Sequence, residues 1–248
     1  MLAVLRDRTA EMPFHFISTP NAQHVLYLQR GNAAYTRAHD MAWLTPCDSR
    51  VLIRLARLMF GIRLHLVAGS DLTASLFATV IDRHEPITVI GGDPTLEALL
   101  RTKLGLTRLA LYDPPMGFVR DEAEIHRAAA FVEANPARFI FLACGAPQSD
   151  ILGSVIAARG QAKGLGLCIG ASLKFVTGQV RRAPRLFQLA GLEWLYRLLQ
   201  EPRRLGRRFM SEQLPILAIA VRFRLSPRLC ADHSQRDQWP FRWSLLWR

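Results

Sequence analysis

The sequence predicts an α/β protein: a Rossmann-like layered, mainly parallel sheet carrying a basic helical C-terminal appendage. Three observations predict it. Seven short apolar or β-branched runs alternate with helix-patterned segments over the first three-quarters of the 248 residues, as right-handed crossovers between parallel strands require. Glycines and polar residues cluster directly after those runs, the edge at which open α/β sheets bind ligands. The charge is displaced to one end: from Arg181 onward there are 14 arginines, no lysine and five acids, so +9 of the formal +12 lies in the last quarter. With 50% hydrophobic residues, the chain suffices for one sizeable domain and a small appendage, divided here as 1–200 and 201–248.

Residues 15–18 form the first expected strand, and Thr19-Pro20-Asn21 ends it ahead of a helix over 22–29. Thr19 and Asn21 thus stand where a strand opens into a helix. Hydroxyl and amide groups meet ligands there, and Asn also caps helices there. Residues 41–45 form the second strand, followed by Pro46-Cys47-Asp48-Ser49 and a helix over 50–60. Asp48 in this place reads as an N-cap or as a functional acid. Residues 64–67 form the third, and Asp71 of Gly69-Ser70-Asp71-Leu72 is expected to cap a helix reaching Ile81. Residues 87–90 form the fourth, almost wholly β-branched or apolar, as a strand covered on both faces should be. Gly91-Gly92-Asp93-Pro94 follows, a glycine pair that lets main-chain amides face an anion, and then a helix to Lys103.

Residues 107–112 form the fifth strand, ending in Asp113-Pro114-Pro115-Met116-Gly117-Phe118, a rigid turn. A helix over 121–134 leads to the sixth strand, 139–143. Gly145-Ala146-Pro147-Gln148-Ser149-Asp150 then opens a helix to Arg159. Residues 164–169 form the seventh strand, before Gly170-Ala171-Ser172-Leu173-Lys174. The string GLGLCIG has the look of a dinucleotide fingerprint, but its glycines lie within the strand and open no helix.

Cys47, Cys144, Cys168 and Cys230 form no CxxC pair and no metal-like spacing, so they read as buried thiols of a reducing compartment. The N-terminal residues lack an apolar core long enough for a signal peptide. The apolar run 214–221, with Pro215 inside it, is far short of the roughly 20 residues a spanning helix needs. The expectation is a soluble or peripheral cytoplasmic protein. Trp239, Phe241, Trp243 and Trp247 lie among arginines near the C-terminus, a composition that suits a bilayer interface or a tail with docking aromatics.

The stretch 178–209, GQVRRAPRLFQLAGLEWLYRLLQEPRRLGRRF, concentrates these features. Leu189, Leu192, Tyr196 and Leu199 recur at helical spacing, with Glu193 and Arg197 as a favourable pair. Pro202 interrupts the run before Arg203, Arg204, Arg207 and Arg208. This is either a core helix followed by a solvated basic one, or an arginine-bearing lid for a diphosphate or an anionic membrane.

This stretch closely resembles the end of the WecG/TagA/CpsF family of bacterial glycosyltransferases, whose members carry a glycine, a basic loop, RAP and a GLEWLYRLLQEPRRL-like segment. The PPMGF string resembles one branch of the same family, and the likeness runs from Phe14 to Met210. It implies an inverting transferase that moves a hexosamine-type sugar from a UDP-sugar to a saccharide on a polyprenyl diphosphate, working without a metal or other cofactor at the anionic inner face of the membrane. Nucleic acid is not an expected partner, and a homo-oligomer stays open. The resemblance assigns Asp48 as general base and puts Thr19 near the reaction centre. It implies substrate contacts from Asn21, Gly69, Asp71, Gly91, Gly92, Pro115, Met116, Gly117, Phe118, Gln148, Ser149, Lys174, Arg181, Arg182, Arg203 and Arg204. Four places depart from the family pattern. Ser49 replaces a glycine after Asp48, Leu66 an arginine, Ser149 a glutamine and Lys174 an aspartate. Asp113, where members often carry Asn, is expected to face sugar hydroxyls or the acceptor. The departures at Leu66, Ser149 and Lys174 motivate an alternative, a catalytically degenerate UDP-sugar-binding or regulatory protein of the same fold.

Overall fold

The computed structural model describes residues 1–180, Tyr196 and 202–225. By contacts the chain divides into two units. The first comprises residues 1–19, 32–46 and 67–180, and the second 20–31, 47–66 and 181–248.

The first unit is built on a five-stranded, wholly parallel sheet: β1 (His15–Ser18), β2 (Ile87–Ile90), β3 (Leu109–Tyr112), β4 (Phe139–Leu142) and β5 (Leu165–Cys168). Their order is β1-β5-β4-β2-β3. Period-two alternation sorts the side chains onto two faces. Ile17, Ile87, Val89, Phe139, Phe141, Leu165 and Leu167 bury themselves on one face against helices α1 (Leu2–Arg6), α5 (Gly69–Thr79), α6 (Pro94–Lys103) and α9 (Ser172–Val176). Phe16, Ile90, Ile140, Leu142 and Cys168 do so on the other, against α7 (Glu122–Ala134) and α8 (Gln148–Arg159). Helix α3 (Ala33–Met41) packs on α8. Close approach of α8 to the sheet depends on Gly153: a Cβ there would stand 2.9 Å from the Phe16 ring.

Two of the seven expected strands do not join the sheet as strands. Residues 41–45 give one bridge, Leu44 to Ile17. Met41 completes α3, and Pro46, which has no N–H, follows two residues after the bridge and ends the pairing. Residues 64–67 likewise give one bridge, Leu66 to Cys47. The ends of the fifth, sixth and seventh strands shorten to the ranges above, while β1 and β2 keep their expected bounds. Helices α1 and α9, of five residues each, are too short for a clear apolar period and were not anticipated, nor was α3.

The second unit contains α2 (Ala22–Gln29), α4 (Arg50–Phe60) and α10 (Pro202–Leu225). Ala22, Leu26 and Ile216 form its buried cluster, backed by Val25, Leu52, Leu55 and Ile219. Pro202 opens α10, where proline is tolerated, and Pro215 lies inside it. Among the described residues no helix is long and apolar enough to cross a membrane.

Candidate functional site

In the first unit the chain runs from β2 outward to β3, then returns across β2 to β4 and continues to β5. The direction of winding therefore reverses between β2 and β4. Loops leaving the C-terminal ends of the two strands diverge there, and a crevice opens. A cavity of about 320 Å³ occupies that place. Gly92, Asp93 and Leu96 line it from the β2 side, Asp113 from the end of β3, and Ala143, Cys144 and Gly145 from the end of β4. Gly170, Ala171, Leu173 and Lys174 close it beyond β5. Gly91 makes the narrow fit between the loops that follow β2 and β4. Its φ is +90°, and a Cβ would meet Ala143 C and Cys144 Sγ at 3.0 Å.

Polar groups in the cavity are linked to one another. Asp93 caps α6 by accepting the Leu96 N–H at 2.8 Å, and its other oxygen accepts from Lys174 Nζ at 3.1 Å. Gln179 Nε2 lies 3.5 Å from both oxygens. The Leu96 N–H first, and then the Lys174 ammonium, hold the Asp93 carboxyl below its usual range. The Lys174 charge is thus answered within the chain by Asp93. The Gly92 N–H donates to Asp113 Oδ1 at 3.2 Å and the Gly91 N–H to the Tyr112 carbonyl at 2.8 Å. Both amides of the glycine pair are engaged. Burial, with some help from Asp113, pushes the Cys144 thiol up to about 12, so it is no nucleophile at neutral pH.

Other expected site residues of this unit have structural partners. Thr19 is buried and donates to the Cys168 carbonyl at 2.8 Å. Ser149 is buried and donates to the Leu142 carbonyl at 2.8 Å. Beside it Asp150, also buried, accepts from Ser18 Oγ. Gln148 is half-buried at the start of α8, after the cis Ala146–Pro147 peptide. In the PPMGF turn Pro115 accepts from the Phe118 N–H, Gly117 adopts φ +82°, and Phe118 is buried in the core. Met116 projects fully, 99% exposed. Gly69 begins α5 and is buried, its carbonyl accepting from Thr73. Asp71 does not cap that helix. Ala68 holds the cap position and Asp71 sits in the first turn, where a carboxylate complements the helix dipole; the helix ends at Thr79 rather than Ile81.

In the second unit Asn21 caps α2, accepting the Gln23 N–H at 3.0 Å, while its own N–H donates to His24 Nδ1 at 3.0 Å. Asp48 is half-buried and its N–H donates to the Pro20 carbonyl at 2.9 Å. Ser49, not Asp48, caps α4 by accepting the Leu52 N–H. The residue that replaces glycine therefore takes the structural duty, and the Asp48 carboxylate is not spent on the cap. Leu66 is half-buried, while the basic residues just before it, Arg63 and His65, are exposed. Arg181 and Arg182 lie outside the described residues, as do the side chains of Arg203 and Arg204; the main chain of the last two belongs to α10. Cys230 and the terminal tryptophans also lie outside them.

Asp93 and Cys144 were not anticipated as lining residues. An aspartate before a proline at a helix start reads as a cap and nothing more, and its partner Lys174 lies 81 residues away. Among the described residues no group of three or more His, Cys, Asp or Glu is arranged to hold a metal. Residues 1–229 match the family model described as Glycosyl transferase WecG/TagA/CpsF family.

Proposed function

The chain belongs to the WecG/TagA/CpsF family of glycosyltransferases, and from that premise we propose that it is an inverting enzyme moving a hexosamine-type sugar from a UDP-sugar to a polyprenyl-diphosphate-linked saccharide in surface-polysaccharide synthesis. The observation that carries the donor part is the cavity at the winding reversal of the sheet, the position at which α/β sheets take nucleotides. Asp48 is assigned the general base. It removes the proton from the acceptor hydroxyl as that oxygen attacks the anomeric carbon, and the bond to UDP breaks on the opposite face, the electron pair leaving with the diphosphate. Arg181, Arg182, Arg203 and Arg204 are assigned to the departing diphosphate, since planar guanidinium suits it bidentately. Thr19 is kept with Asp48 as a catalytic residue, and Asn21, Gln148 and Ser149 as donor-side residues of the same proposal.

The division into a catalytic part, 1–200, and an appendage, 201–248, belongs to this reading, with the appendage at the cytoplasmic face of the membrane. Supporting it, α10 exposes Leu217, Val221 and Leu225 beside Arg222 and Arg224. Helix α4 exposes Leu58 beside Arg54 and Arg57. Apolar residues flanked by arginines suit an anionic bilayer surface. Removal of residues after Gln200 is expected to reduce binding to vesicles containing anionic lipid; unchanged binding and unchanged transfer would sink the appendage assignment.

The deciding experiment measures UDP release from a panel of UDP-sugars with membrane extract as acceptor. Acceptor-dependent release is expected, falling about 10²–10⁴-fold in Asp48→Asn with UDP binding retained. UDP binding without release from any donor would instead establish the degenerate binding protein.

A further inference from the structure

Strand β3 lies next to β2, on the side away from the winding reversal. Strand β2, the glycine turn, α6 and β3 form one βαβ unit of the parallel sheet, and Asp113 follows β3 directly. In dinucleotide-binding α/β sheets an acid about 20 residues after the glycine turn hydrogen-bonds the ribose of the bound nucleotide, and Asp113 holds the corresponding place. Asp113 has the further properties that role needs. It lines the cavity, and its Oδ1 is anchored to the turn by the Gly92 N–H at 3.2 Å. Oδ2 has no hydrogen-bond partner among the described residues.

Charge and hydrogen-bond chemistry narrow the ligand group. An ionised carboxylate only accepts, so the group it binds must donate. Of the charged side chains lining the cavity among the described residues, Lys174 is paired with Asp93, which leaves the Asp113 carboxylate without an ion-pair partner there. That balance disfavours a phosphate beside Asp113 and favours a neutral diol. We propose that Asp113 binds the 2′- and 3′-hydroxyls of the donor's ribose, seating the nucleoside at the β2–β3 side of the cavity. This rests on the nucleotide-sugar reading above and replaces the transferred sugar or the acceptor as the partner of Asp113.

The test uses the full chain and calorimetric titration with UDP, 2′-deoxy-UDP and 3′-deoxy-UDP. Wild type is expected to bind UDP about tenfold or more tightly than at least one deoxy form, because a hydrogen bond to a charged group is lost. Asp113→Asn retains an oxygen to accept the Gly92 N–H, so the turn is kept. It is expected to bind UDP about as weakly as wild type binds the deoxy form and to lose the discrimination. Equal affinity of wild type for all three ligands overturns the assignment and leaves the transferase reading standing. So does discrimination that survives unchanged in a folded Asp113→Asn. Failure of wild type to bind UDP at all overturns both.

Discussion

Lys174 stands 3.1 Å from Asp93, and each side chain is about two-fifths exposed. An ion pair so placed is screened, and its worth lies near the surface-pair range of about 0–1 kcal/mol. Lys174→Met is therefore expected to leave the chain folded and lower stability by less than about 1 kcal/mol. Lys174→Asp sets two carboxylates face to face and is expected to weaken donor binding more than Lys174→Met does, with Asp93→Asn restoring it. Urea midpoints and UDP titrations on the four corners of that cycle check this; additivity of the two substitutions would show that the pair is not coupled. Asp48 was legible as a candidate from its place before a helix, but sequence alone left it divided between cap and base. Only the geometry shows Ser49 taking the cap. The Lys174–Asp93 pairing was illegible because no local rule links two residues on different loops of a sheet edge.

At the scale of elements, α8 sits on β1 through Gly153 and the fully buried Phe16. Gly153→Ala gains up to about 1 kcal/mol of helix propensity. It also places a methyl 2.9 Å from the ring of the fully buried Phe16, an overpacking cost of about 1–3 kcal/mol. The net expectation is a lower urea midpoint with an unchanged m-value; a raised midpoint would mean that α8 shifts outward without cost. Strands β1 and β2 were readable to the residue, because a short apolar run bounded by Pro, Gly or Asn admits few other readings. Residues 41–45 and 64–67 looked equally strand-like. Whether such a run becomes a strand depends on having a neighbour along its length, and each of these meets its neighbour at one residue.

For the whole molecule, the thiols set a limit in alkali, although among the described residues only Cys168 is buried as expected, Cys47 and Cys144 being half-buried. Burial raises Cys47 from 9.0 to about 11 and Cys144 from 9.0 to about 12, and it raises Cys168 well above 9.0 too. A raised folded-state pKa means stability fully present below the unfolded value and lost as pH climbs through the folded one. The melting temperature is expected to fall between about pH 9 and pH 11, and less steeply in Cys47→Ala; parallel curves would locate the loss elsewhere. The parallel layered architecture was legible from alternation of runs, whereas strand order was not, since it is fixed by which crossovers close. That order has a consequence for synthesis on the ribosome. Strand β1 emerges first, yet its partner along its length is β5, which follows on the order of 150 residues later. While β2, β3 and β4 can assemble as they appear, the apolar segment around Phe16 and Ile17 must wait, uncovered, for most of translation. Nascent chains arrested shortly before residue 165 should therefore be the ones most dependent on chaperones.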